Sequence, residues 1–225
     1  MPLFTVIFAI MPVDISFYQQ IRSELEPQNI TLVAVSKTKP VADIETLYQA
    51  GQIDFGENYV QEFLTKQAQL PVNIRWHFIG HLQTNKVKMI LPYVYLIHGV
   101  DSIKLLKEIN KQAGKIDKVV NCLLQVHIAE EETKFGLDEA ELAEVAAIQH
   151  EFTNVSIKGV MGMATFTQNE QQIRAEFQHL FRISQQYSFN SNPIISMGMS
   201  SDYRIAVEEG STMVRIGSRL FGSRN

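Results

Sequence analysis

The chain has 225 residues, 45% of them hydrophobic and 20% charged, which excludes extended disorder and suits one large α/β domain or two small ones. A net charge of −4, with no segment dominated by Lys or Arg, excludes the basic footprint of a nucleic-acid binder. The single cysteine, Cys122, excludes an internal disulfide, so a reducing cytoplasm is expected and the thiol is assigned to packing.

Met1 to Ile10 form an apolar stretch without the basic flank or small-residue cleavage site of a signal peptide, and too short to span a bilayer. It reads as a frayed terminus, an extra strand, or the result of a start placed ahead of Met11, so residues 1–12 are set apart as an N-terminal extension. No later stretch approaches a membrane span.

From there, short β-rich apolar runs alternate with helix-period segments. The runs are Thr31–Val35, Ile53–Phe55, Ile74–Ile79, Val94–Ile97, Val119–Ile128, Ile157–Met163, Ile194–Met197 and Thr212–Ile216, eight expected strands. Between them, apolar residues recur three and four apart, as in Val41/Ile44/Leu47/Tyr48, Ile103/Leu106/Ile109/Ala113 and Ile173/Phe177/Leu180/Phe181. Asp101-Ser102 and Asp138 read as helix N-caps, and Gly51, Gly114 and Gly210 stand where helices should stop. Strand–helix alternation implies parallel strands, because the helix supplies the crossover. Eight units predict an α/β fold, a closed (β/α)8 TIM barrel. A doubly wound open sheet is the alternative, disfavoured by the even count and the lack of a nucleotide fingerprint. No linker divides the sequence, so residues 1–225 are read as one domain.

In a barrel, chemistry gathers at the C-terminal ends of the strands. Those ends carry Ser36-Lys37-Thr38-Lys39, Glu57-Asn58, Gly80-His81, Ser200-Ser201 and Gly217-Ser218, and strand five runs towards Lys134. Lys37 follows an apolar strand, which places its amine at the mouth. Partial desolvation there lowers a lysine pKa and frees the amine for a carbonyl, although an ordinary solvated lysine fits the same spacing. The Arg215-Ile216-Gly217-Ser218 turn should point backbone amides into the mouth, as a phosphate requires, and Ser200-Ser201 offer a second set. Plain N-capping is the competing use of these serines. His77 and His81 are four apart across a loop and no further histidine joins them, so no metal site is expected. Met161, Met163, Met197 and Met199 read as barrel filling.

Three blocks, Leu32-Val33-Ala34-Val35-Ser36-Lys37-Thr38-Lys39-Pro40, Phe55-Gly56-Glu57-Asn58-Tyr59-Val60-Gln61-Glu62 and Trp76-His77-Phe78-Ile79-Gly80, carry a resemblance that continues through Leu82 to Lys86, Ser196 to Ser200 and Gly210 to Gly217. With these blocks the chain resembles the pyridoxal phosphate homeostasis proteins, over roughly residues 30–222. The resemblance implies a barrel of the alanine racemase N-terminal-domain type (fold-type III) with no second domain, and pyridoxal 5′-phosphate (PLP) as cofactor. It implies that Lys37 carries PLP as a Schiff base. Arg215 would face the pyridine nitrogen and keep it unprotonated, and Ser200, Gly217 and Ser218 would hold the phosphate. Asn58 and His77 would line the ring pocket, with Lys134 a nearby amine. His81 stands where the family usually shows Pro, the segment Ile15 to Asn29 looks shortened, and Gly99 replaces the usual polar loop after strand four.

The resemblance implies a carrier acting in intracellular PLP homeostasis without substrate turnover. It would be cytoplasmic and monomeric, with PLP-dependent apoenzymes as partners and no nucleic acid or membrane. The alternative is a fold-type III enzyme such as an amino-acid racemase. That reaction needs a base on each face of the cofactor, and a cation at the ring nitrogen weakens its electron sink.

Overall fold

The computed structural model describes residues 13–131, 135–187 and 189–222, so the expectations for residues 1–12 and for Lys134 lie outside the described residues. Asp14 accepts the Phe17 amide and opens α1 (Ile15–Leu25), which fills the segment expected to be shortened. The chain then runs β1 (Thr31–Val35), α2 (Val41–Gln49), β2 (Asp54–Glu57), α3 (Val60–Gln67) and β3 (Arg75–Phe78). A short turn of helix, α4 (Val87–Ile90), leads to β4 (Leu96–Val100), α5 (Ile103–Gly114), β5 (Val120–Gln125), α6 (Glu139–Ile148) and β6 (Val155–Met161). The last units are α7 (Glu170–Gln186), β7 (Ile194–Ser196), α8 (Tyr203–Glu208), β8 (Met213–Ile216) and α9 (Ser218–Phe221).

The caps are where the sequence puts them. Ser102 accepts the Leu105 amide, and Asp138 with Glu141 forms a reciprocal capping box that satisfies two amides at once. Gly51 and Gly210 end α2 and α8 at φ +103° and +90°, a left-handed backbone that side chains resist.

All eight strands are parallel and close in the order β1 to β8, with β8 hydrogen-bonded back to β1. The fold is the expected closed barrel, and the open-sheet alternative is discarded. Strand four differs from expectation: it runs through His98 and Gly99 to Val100, so Gly99 belongs to the strand and not to a loop. A Cβ at Gly99 would lie 2.6 Å from the Gly80 carbonyl oxygen, which is why β3 and β4 can approach so closely there.

Two apolar cores follow from the period-2 alternation of the strands. The larger lies between sheet and helices. The smaller fills the barrel with Val33, Leu96, Leu123, Met161 and Met213, all buried. Met161 fills the barrel as expected, but Met197 packs in the larger core outside it, and Met163 and Met199 line a cavity at the C-terminal mouth. Cys122 is fully buried, and burial pushes its thiol pKa up, consistent with packing. Among the described residues no helix is long and apolar enough to cross a membrane, and no cluster of His, Cys, Asp and Glu could hold a metal.

Candidate functional site

Lys37 stands two residues past β1, and the residues on either side of it are tied down. The Ser36 amide donates to the Gly56 carbonyl at 3.0 Å, and the Ser36 hydroxyl donates to Glu57 Oε1 at 2.6 Å. On the other side Thr38 adopts φ +64°, rare for a β-branched residue, and its amide donates to Glu62 Oε1 at 2.6 Å. Both anchors meet at Lys66. Its ammonium donates to the Ser36 carbonyl at 2.7 Å, to Glu57 Oε1 at 2.8 Å and to Glu62 Oε1 at 2.6 Å. Burial pushes the Glu57 carboxyl pKa up and the Lys66 charge opposes that shift.

A cavity of about 530 Å³ opens above this loop at the C-terminal end of the barrel. Six predicted residues meet on its wall: Lys37, Asn58, Ser200, Arg215, Gly217 and Ser218. Val35, Ile79, Met163, Phe166 and Met199 supply apolar surface, as a cavity for a small organic ligand needs.

The two serine turns are joined directly, because the Gly217 amide donates to Ser200 Oγ at 3.3 Å. A Cβ at Gly217 would press on Val35 at 3.2 Å, so only glycine brings this backbone to the cavity wall without displacement. Asn58 presents a buried Oδ1 without a hydrogen-bond partner, a state that folded proteins seldom leave uncompensated. Arg215 is buried, with Nη1 donating to the Ser196 carbonyl at 2.8 Å and hydroxyl at 2.6 Å, and Nη2 to the Gly162 carbonyl at 3.1 Å. Burial lowers its pKa to about 10, against an opposing pull from Asp202, so it remains a cation at neutral pH.

His77 is the predicted residue that the structure does not bring to the wall. It is fully buried inside the barrel, bonded to Asp54 and His98. Period-2 alternation points His77 and Ile79 inward together, and Ile79, two residues nearer the mouth, takes the place at the cavity.

Residues 18–225 match the family model described as alanine racemase, N-terminal domain. Curated relatives agree. The "Pyridoxal phosphate homeostasis protein" of Aquifex aeolicus is 41% identical over 197 residues, 86% of each chain. That of Vibrio alginolyticus is 39% identical over 216 residues, 92% of each. The chain belongs to the pyridoxal phosphate homeostasis family of alanine racemase N-terminal-domain barrels. Among solved structures of this kind, PipY of Synechococcus elongatus PCC7942, determined with PLP bound, superposes with a TM-score of 0.85 at 35% identity. The match covers 92% of this chain and 99% of PipY. Alanine racemase of Bartonella henselae, at 18% identity and a TM-score of 0.73, shares the fold over 94% of this chain and 60% of its own.

Two features of this barrel escape a reading by motif. The apolar walls from Met163, Phe166 and Met199 come from loops whose residues look like filling or surface. The Glu57–Lys66–Glu62 cluster joins strand and helix residues; both carboxylates stand in the Phe55–Glu62 block, but Lys66 lies outside it and only its spacing of four from Glu62 hints at the link.

Proposed function

We propose that this chain binds PLP as a Schiff base on Lys37 and acts in PLP homeostasis, holding and releasing the cofactor without turning over a substrate. The observation that carries the proposal is the meeting of Lys37, Arg215 and the joined Ser200 and Gly217-Ser218 turns on one cavity wall. The residues fit the group: the cavity is within the usual range for a small ligand, the orphaned Asn58 oxygen awaits a donor, and Gly217 lets backbone approach a phosphate. PLP supplies an aldehyde for the lysine amine and an absorption band that reports the linkage.

Each residue then has a task. Lys37 offers the amine from a loop clamped on both sides. Ser200, Gly217 and Ser218 hold the phosphate with hydroxyls and amides. Asn58 orients the ring, and the Arg215 cation disfavours a proton on the ring nitrogen. Arg215 thereby speaks for a carrier over an enzyme, since an unprotonated ring is a poorer electron sink. The curated relatives are named as homeostasis proteins, which supports the same choice. A monomer in the cytoplasm, delivering PLP to apoenzymes, completes the proposal. The cavity wall is built from this chain's own residues, and sedimentation of the purified protein tests the monomer.

Borohydride treatment of the PLP-loaded protein should fix the cofactor on the peptide containing Lys37, and Lys37→Ala should lose the absorption band. A band that survives in Lys37→Ala rejects the anchor. Racemase or transaminase turnover on an amino-acid panel, lost in Lys37→Ala, rejects the carrier.

A further inference from the structure

Beneath Arg215 a chain of buried polar groups crosses the barrel interior, passing between strands that are otherwise packed with apolar side chains. Arg215 Nη1 donates to Ser196 Oγ at 2.6 Å, and Ser196 Oγ is 3.2 Å from His98 Nδ1. His98 Nε2 is 2.9 Å from His77 Nδ1, and His77 Nε2 is 2.9 Å from Asp54 Oδ1. Asp54 also takes Arg75 Nη2 at 2.5 Å on its other oxygen, at the N-terminal end of the barrel. Both histidines are fully buried.

The direction of every bond follows from the ends. A carboxylate can only accept, so His77 Nε2 must donate to Asp54. Neutral His77 then has a bare Nδ1, which requires a proton on His98 Nε2. Neutral His98 in turn has a bare Nδ1, which requires the Ser196 hydroxyl to donate. That hydroxyl still accepts from Arg215, which has no acceptor of its own. Five groups from five strands therefore form one continuous run from a cation to an anion, each link committed.

We infer that Ser196, His98, His77 and Asp54 are positioning residues for Arg215, holding its guanidinium at a fixed angle under the ring end of the cavity and tying that angle to the barrel's far mouth. The inference rests on the proposed PLP site. It explains why a family histidine sits one layer below the wall: its work is done through Arg215. It also explains why the interior gives up space to polar groups, which are costly unless every member is satisfied.

Among the described residues, the charged or titratable groups facing the histidines are members of the run, its two ends and one tyrosine outside it, Tyr95. Asp54, Arg75 and His98 surround His77, with the Tyr95 ring 5.5 Å away, and His77 and Arg215 flank His98. Burial holds both rings below the usual histidine pKa, in agreement with the neutral forms the chain needs.

Two measurements test this. Long-range ¹H–¹⁵N correlation on cofactor-free protein at neutral pH should show His77 and His98 as neutral rings protonated on Nε2. A proton on His98 Nδ1, or an imidazolium at either position, overturns the chain whether or not PLP binds. On PLP-loaded protein, Ser196→Ala should move the pH midpoint of the cofactor absorption band by about one unit, since the guanidinium keeps only its two carbonyl acceptors and its angle is no longer tied to His98. Ser196→Thr, which keeps the hydroxyl, should restore it towards wild type. Equal midpoints in wild type and Ser196→Ala reject the positioning role, and if Ser196→Ala fails to fold, the tautomers of the unmutated protein still decide. Failure to take up PLP at all rejects the proposed function, and the tautomers of the cofactor-free protein then decide the hydrogen-bonded chain by themselves.

Discussion

At the scale of single residues, height within the barrel decides the site, and height is hard to read from one strand. Pairing places Asp54 opposite Arg75 and Gly56 opposite His77, so Asn58 and Ile79 come one layer higher, at the mouth. Alternation tells that His77 faces inward, but only the stagger between strands says which layer it occupies. Lys37 and Gly217 were legible because they sit beyond the ends of their strands, where no layer above competes, whereas Arg215, inside β8, was legible only through the resemblance. Gly80 belongs to this scale too. A Cβ there would overlap the Asn58 backbone, which cannot yield as a flexible side chain can. Gly80→Ala should therefore cost about 1–3 kcal/mol in denaturant melts, the range for overpacking. Because the displaced segment carries Asn58, PLP affinity measured by fluorescence should fall as well. Unchanged affinity with the full stability loss would remove Asn58 from the ring pocket.

At the scale of elements, the reactive loop after β1 is held from outside its own unit. Lys66 extends from α3 to the loop, and its side chain, 5% exposed, donates to one oxygen of each of two carboxylates and to the Ser36 carbonyl. Removing one partner of a buried pair costs far more than the pair is worth, because the remaining charge stays buried. Lys66→Met should cost about 3–5 kcal/mol by that argument, read from denaturant melts. It should also release Thr38 from its left-handed backbone, since the Glu62 acceptor loses its counter-charge. Slower recapture of PLP by the variant would show the loop loosened, and a stable variant with wild-type capture would refute the clamp. Periodicity had announced the strands and helices well, because each buries one face. The clamp was illegible because a lysine near the end of an amphipathic helix looks like a solvated one until the neighbouring strand is in place.

At the scale of the molecule, the histidine chain links stability to pH, and the sign follows from burial. His98 is held well below its ordinary pKa and His77 is also lowered, both chiefly by burial. Near pH 7.5 both are neutral folded or unfolded, so they contribute no slope. Below about pH 6.5 the unfolded chain binds protons that the folded barrel refuses, so stability must fall as pH falls. For a ring that stays neutral in the fold, the loss on reaching pH 5.5 is about 1.4 kcal/mol, with less expected from His77. Glu57 acts in the opposite sense, since its raised pKa lets the folded state take up a proton first and gain stability on acidification. Comparing wild type with His98→Gln cancels the Glu57 part, which both proteins share. The difference in unfolding free energy between pH 7.5 and 5.5 should therefore shrink by about 1 kcal/mol in His98→Gln. An unchanged difference would mean that His98 titrates in the fold as it does in the unfolded chain. The barrel interior would then be wet enough to charge it, and the committed run of hydrogen bonds from Arg215 to Asp54 could not persist through mild acid.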